Sequence, residues 1–591
     1  MSLRRQLTAA GLVALAVLLA VSTLAAEEAK VPVEEVVLDN GMKLLMVQRH
    51  ESPTVSAGWV THVGSANEEV GATGMAHLFE HMMFKGSHTI GTRDFKREAE
   101  IMAELDALRV EMEAEYEVMR EMKRRGELEG SIYLPENQTE RLGELREKLK
   151  ELQAQQKPLI VKDEFDQIYT EAGASGLNAG TMQDATIYFI TVPANKLELW
   201  FWMESERLLN PVFREFYSER DVVREERRMR VESNPTAKFE EQFDSMFWAS
   251  LPYHHPVVGW PSDVESITRD QAERFFATFY APNNITVGLV GDFDREQAVA
   301  LATKYFGRIP RGANPPPPVV TEEIEQLAER RMLAEAETNP SVQIRWHAVP
   351  FGHRDFYALD VLDSILNDRT GRLYKSLVEA RQLATGEPYS SFQALKYGGF
   401  VELGAELADG VDHREVEDAL LAEIERLKTE PVGERELQKV KNQSLANSYR
   451  RLQSNFFLLL QLLLYDVWED WSFLNESPAK IAAVTAEDVQ RVASTYFTDS
   501  GKNVLWYSRK EGSTEDPALA ALSGQAKAFA KQALAQIEQI GDPAELEQGL
   551  AQMRAMQGQI PPELAPALDL VIERAAERLQ MLQAAAAGEE E

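Results

Sequence analysis

The chain has 591 residues, 44% of them hydrophobic and 27% charged, a composition that fits a globular protein of several domains and excludes a disordered, collagenous or multi-spanning one. Its 95 acidic residues against 62 basic ones leave a formal charge of −33, which argues against a nucleic-acid backbone as partner. There is no cysteine, so disulfides, iron–sulfur clusters, thiolate zinc sites and Cys nucleophiles are excluded, and any transition metal must be held by His and carboxylate groups.

Residues 1–26 open with Arg4 and Arg5, continue through an apolar run from about Ala9 to Val21 and end on small residues. That layout predicts a cleaved secretory signal peptide and, without a cysteine to lipidate, a periplasmic protein. No later segment is long and apolar enough to span a membrane; Phe456–Leu464 is too brief.

Strands are expected at Val36–Met46 and Thr54–His62, broken by the turn signals Asn40-Gly41 and Ser52-Pro53. A helical pattern begins near Gly74. From Thr92 to Lys162 the sequence turns rich in Glu, Lys, Arg, Met and Leu, with a breaker zone at Gly126–Asn137. Leu142, Leu145, Leu149 and Leu152 have the spacing of a helix–helix seam, so an inserted antiparallel hairpin is predicted, either a bracing arm or a substrate gate or partner dock. Thr181–Val192 reads as one strand, Lys196–Leu209 and Phe216–Glu232 as helices, and Asn284–Val290 as a strand. The Pro-rich stretch at 311–318 marks a linker.

A second unit follows: strand Ser341–Ala348, helix Asp355–Leu366, strand Gly399–Leu407, helix His413–Thr429, one long helix Glu434–Tyr465, helix Ala486–Phe497 and strand Asn503–Ser508. Its order echoes the first unit, as two copies of one mixed-sheet domain would. The expected division is a signal at 1–26, a first domain at 27–310 with its insertion at 92–162, a linker at 311–325, a second domain at 326–510 and an Ala/Gln/Glu/Leu-rich helical tail at 511–591, interrupted at Gly541-Asp542-Pro543 and Pro561-Pro562.

One constellation carries chemistry. Residues 77–81 read His-Leu-Phe-Glu-His. On a helix His77 and His81 lie one turn apart on one face, close enough for both imidazoles to reach one zinc at about 2.0–2.1 Å. Glu80 is poorly placed as a third ligand but well placed to take a proton from water there. A catalytic zinc takes three protein ligands, so a carboxylate is needed. On helix Phe216–Glu232, Glu219, Val222, Val223 and Glu226 share one side, expected to be the buried one, with Glu225 pointing away. Glu226 or Glu219 is therefore the candidate over Glu225; an amphipathic helix whose acids pair with Arg220, Arg227 or Arg230 is the plain alternative.

Gly71–Ser87 (GATGMAHLFEHMMFKGS) resembles the zinc segment of the insulinase/pitrilysin metallopeptidases, which include mitochondrial processing peptidase. Leu177–Pro193, Glu219–Glu232, His254–Trp260 and Phe279–Phe293 resemble that family too. The resemblance implies an α+β fold of two homologous mixed sandwich units forming half of a clamshell. It implies His77 and His81 as zinc ligands, Glu226 as the third, Glu80 as catalytic base and Glu219 as an auxiliary catalytic acid. It implies one zinc ion and a peptide substrate laid as an added strand beside Asn178 and Ala179. Two departures stand out. The hairpin about doubles the family's usual distance from His81 to Glu226. In the second unit Val378 and Thr385 occupy the places where many relatives hold substrate with Arg and Tyr, with Arg381 and Tyr389 nearby at other spacings. Relatives with one zinc site often pair with a metal-free homologous subunit, so the resemblance implies a dimer, either of two copies or with such a subunit.

Overall fold

The computed structural model describes residues 30–510 and 517–588, except 521, 523, 541, 542, 558, 559, 562 and 563. The expected signal peptide at 1–26, the break at Gly541-Asp542 and Pro562 lie outside the described residues.

Two sheets form the frame. The first contains β1 (Glu34–Val37), β2 (Lys43–Gln48), β3 (Thr54–Thr61), β4 (Ser175–Thr181), β5 (Thr186–Pro193) and β6 (Ile285–Gly291) in the order β1-β2-β6-β3-β5-β4. The second contains β7 (Arg330–Ala336), β8 (Ser341–Ala348), β9 (Ala384–Ala394), β10 (Gly399–Leu407) and β11 (Asn503–Arg509) in the order β7-β11-β8-β10-β9. In each sheet one parallel pair, β2 with β6 and β7 with β11, is followed by three antiparallel pairings. Leaving β1 aside, the two sheets share one topology, so the chain is two homologous α/β halves. The repeat places β4 and β9 as equivalent sheet edges.

Three expectations need correction. Thr181–Val192 is not one strand: Met182 N–H bonds to Ala185 O at 2.8 Å and closes a turn between β4 and β5. Buried Asp184 fixes that turn by accepting from Tyr253 Oη of the first half at 2.8 Å and from Lys396 N of the second at 3.0 Å. The long helix Glu434–Tyr465 is two helices, Glu434–Gln453 and Asn455–Trp468, because Ser454 leaves helical geometry and caps the second by accepting from Phe457 N. Strands β7 and β9 were not anticipated; β7 alternates in burial but opens on two arginines, and β9, an edge strand with Gly386 and Pro388, lacks a regular alternation.

The halves exchange helices. Leu458, Leu459, Leu462, Leu463 and Val467 of helix Asn455–Trp468 cover Leu45, Val47, Val60, Ile187 and Val290 on the first sheet. Phe243 of helix Ala237–Phe247 packs in return with Ala334, Ala336, Leu505 and Tyr507 of the second. Burial contributes about 1.5–3 kcal/mol per large aliphatic side chain, so each half stabilises the other's sheet.

The insertion forms helices Phe95–Arg124 and Glu140–Gln156, closed around Leu108, Met112, Met119, Leu142 and Leu145. At its base Thr92 pairs with Ile160. In the tail, helices Gly524–Gln539, Pro543–Met556 and Ala565–Gly588 share a separate apolar core that includes Leu546, Leu568 and Val571.

Candidate metal centre

Helix Met75–Met82 starts at Gly74, whose φ of +88° and close approach to Val258 O leave no room for a Cβ. The Glu68 carboxylate accepts from Gly74 N at 2.8 Å and Ala76 N at 2.7 Å, closing the helix start. Met75, Ala76, Leu78, Phe79 and Met82 pack into the first core. The same 3.6-residue period turns His77, Glu80 and His81 to another side, where Glu80 and His81 line a cleft of about 580 Å³.

The second wall is helix Phe216–Arg227. Its buried side is Phe216, Tyr217, Arg220, Val223 and Arg227. Val222 was expected on that side but is 50% exposed and lines the cleft. The packed stripe is therefore rotated by about one residue; Glu219 lines the cleft and Glu226 faces the two imidazoles. Glu225 points outward and pairs with Arg228 at 2.7 Å in solvent.

His77 Nε2 lies 3.6 Å from Glu226 Oε2, and His81 Nε2 lies 3.4 Å from the same oxygen. One ligand atom from each of His77, His81 and Glu226 lies within 4.8 Å of the others. A tetrahedral ion with bonds of about 2.0–2.1 Å needs ligand atoms about 3.4 Å apart, so the cluster has the size and the nitrogen/oxygen donors for zinc. His81 Nδ1 lies 3.0 Å from Glu219 Oε1. An ionised carboxylate only accepts, so Nδ1 carries a hydrogen, and loss of the Nε2 proton would leave the Nε2 lone pair aimed at the cluster. Glu219 thus holds His81 and does not join the ligand trio. Lys85 Nζ donates to Glu219 Oε2 at 2.5 Å, and Arg230 pairs with Glu226 at 2.7 Å.

These contacts set the charges. Burial pushes His77 down to about 4, against the pull of Glu226, so it is neutral at physiological pH. Burial opposes the charged form of His81 too, but hydrogen bonds to Glu219 and Glu226 outweigh it and raise His81 to about 9. A metal must displace that proton, so its affinity falls as pH falls. Glu226 is held below the usual carboxylate range by its bond to His81. Burial raises Glu80, offset in part by the hydroxyl of Thr181, which donates to Glu80 Oε2 at 2.6 Å. Thr181 and Lys85 were missed as site residues: both lie inside the quoted motifs, but nothing in their spacing says which carboxylate they meet.

Asn178 and Ala179 lie on β4, the edge of the first sheet, where Asn178 is exposed and its Oδ1 accepts from Ala179 N at 2.9 Å. In the second half Val378 is packed against the core, and Thr385 Oγ1 donates to Leu407 O at 3.4 Å. Tyr389 Oη donates to Glu402 at 2.7 Å.

The duplicated sheet and a His/His/Glu cluster above its first copy define a metallopeptidase-type fold. The family model described as insulinase (peptidase family M16) matches residues 43–113, and that of the peptidase M16 inactive domain matches residues 266–444. The chain belongs to this insulinase/pitrilysin family of zinc metallopeptidases. It is 25% identical over 485 residues to zinc protease PqqE of Helicobacter pylori, covering 80% of this chain and 92% of that one. An uncharacterized zinc protease of Mycobacterium leprae is 31% identical over 40% of this chain and 52% of its own length. A crystal structure of a protease from Helicobacter pylori superposes with a TM-score of 0.65 at 22% identity, over 81% of this chain and all of that one. The periplasmic protease PqqL from Escherichia coli superposes at 0.61 and 16% identity, over 85% of this chain and 50% of that one. Among the described residues no helix is long and apolar enough to cross a membrane.

Proposed function

We propose that this chain is a secreted, periplasmic zinc endopeptidase acting on unfolded peptides, with one zinc ion held by His77, His81 and Glu226 and with Glu80 as general base. The observation that carries the reading is the placement of three ligand atoms within 4.8 Å of one another, with Glu80 beside them in the cleft. Zinc, when bound, polarises a peptide carbonyl and acidifies water. Glu80 takes a proton from water and delivers it to the leaving amine. Thr181 fixes the carboxylate of Glu80 for both transfers, and Glu219 holds His81 in the tautomer that presents Nε2. The free edge of β4 at Asn178 and Ala179 receives the substrate backbone as an added strand.

Val378 and Thr385 supply no cationic or phenolic anchor, so we propose that a homologous, metal-free subunit completes the chamber. The test pairs zinc content with cleavage of a quenched unfolded peptide, with and without that subunit. One zinc per chain and turnover that rises on adding the subunit is the expected result. A chain that binds zinc and cleaves nothing in either state favours a non-catalytic assembly subunit on the same fold.

A further inference from the structure

We infer that the inserted hairpin positions the metal centre, with Glu98 and Arg214 as its positioning residues. The inference deepens the zinc-peptidase reading and rests on it. Glu98 lies in the first turn of the first hairpin helix and is fully buried; its Oε1 pairs with Arg214 Nε at 3.0 Å and accepts from Gln156 of the second hairpin helix at 3.3 Å. Arg214 is equally buried and has no contact with the ligand trio. It spends its remaining N–H groups on the loop that leaves the His-bearing helix: Ser87 O at 2.8 Å, Ile90 O at 3.0 Å and Lys85 O. Lys85 then holds Glu219 at 2.5 Å, and Glu219 holds His81 Nδ1 at 3.0 Å. On this route each contact between side chains is a hydrogen bond or an ion pair.

A second route reaches the other wall. The guanidinium of Arg109 lies 4.3 Å over the ring of Tyr217, Tyr217 Oη donates to Asp106 at 3.4 Å, and Gln153 Nε2 donates to Ser218 Oγ at 3.2 Å. Tyr217 and Ser218 immediately precede Glu219. Both hairpin helices thus grip the turn that carries Glu219, seven residues before Glu226. A merely solvated arm needs neither a buried ion pair at its root nor contacts to these two residues. Loss of a group that orients a metal-ligating His weakens binding by about 10–100-fold, and the two routes converge on that group.

The test measures the zinc dissociation constant of the full chain by competition with a fluorescent chelator, alongside the thermal midpoint of the metal-free protein. Glu98→Gln keeps the shape of the side chain and removes its charge, and should raise the zinc constant about tenfold. Leu142→Ala opens the hairpin's own core away from its base; it should lower the thermal midpoint and leave the zinc constant unchanged. Should Glu98→Gln fail to fold, Asp106→Ala, at a partly exposed position on the same helix, reads the second route and should raise the constant severalfold. A zinc constant equal to wild type in the folded variant, or a rise that Leu142→Ala reproduces, overturns the inference. A wild-type chain that binds no zinc overturns the underlying peptidase reading instead.

Discussion

The hydroxyl of Thr181, at the end of the β4 edge strand, donates to Glu80 Oε2 at 2.6 Å and so joins the strand expected to dock substrate to the group expected to move the proton. Substrate seated on β4 and the base on helix Met75–Met82 that serves it are thereby held in one register by a direct hydrogen bond. Positioning of this kind makes attack effectively intramolecular.

Thr181→Val should lower kcat about tenfold, the worth of one hydrogen bond to a charged group, with Thr181→Ser restoring most of it. The bond lowers the pKa of Glu80, so its loss raises that pKa. Glu80 must be ionised to act as base, so the acid limb of the pH–rate profile moves to higher pH. Steady-state kinetics of the three proteins across pH check both points; an unmoved acid limb with normal kcat contradicts them.

Glu226→Gln should weaken zinc binding by at least tenfold, and Glu225→Gln should leave it within about twofold. The two residues are neighbours, but Glu226 Oε2 faces both imidazoles whereas Glu225 pairs with Arg228 in solvent. Chelator competition on the two variants decides the matter, and equal affinities would refute the assignment.

Much of this was legible because periodicity survives local exceptions. The four-residue spacing of His77 and His81 needs only a helix to bring both rings to one side, and the Leu142/Leu145 seam needs only a partner helix. What was hidden depended on contacts distant in sequence. Whether Thr181–Val192 is one strand or two is decided by Asp184 meeting Tyr253 and Lys396, and neither is visible locally. Val222 and Val223 are equally apolar, and only the packing of Tyr217 and Arg220 against the rest of the domain settles which of them is buried. The break at Ser454 follows from the helix having to leave its own half and cover the other sheet.

That exchange makes Gly288 on β6 a sensitive position. A Cβ there would stand 2.5 Å from Leu459 Cδ1 and 3.1 Å from Leu463 Cδ2 of the helix lent by the second half. Gly288→Val should cost about 1–3 kcal/mol of stability through overpacking, seen as a lower urea midpoint, with the zinc constant unchanged. Unaltered stability would mean that the helix does not sit against β6 in solution.

The central claim is that Glu80 moves the proton while His77, His81 and Glu226 hold the metal. The most direct measurement takes Glu80→Gln and wild type, each assayed for bound zinc and for cleavage of one unfolded quenched peptide. The account predicts equal zinc, one ion per chain, and a turnover lower by about 10²–10⁴-fold in the variant. Near-normal cleavage by a zinc-loaded Glu80→Gln protein would contradict it.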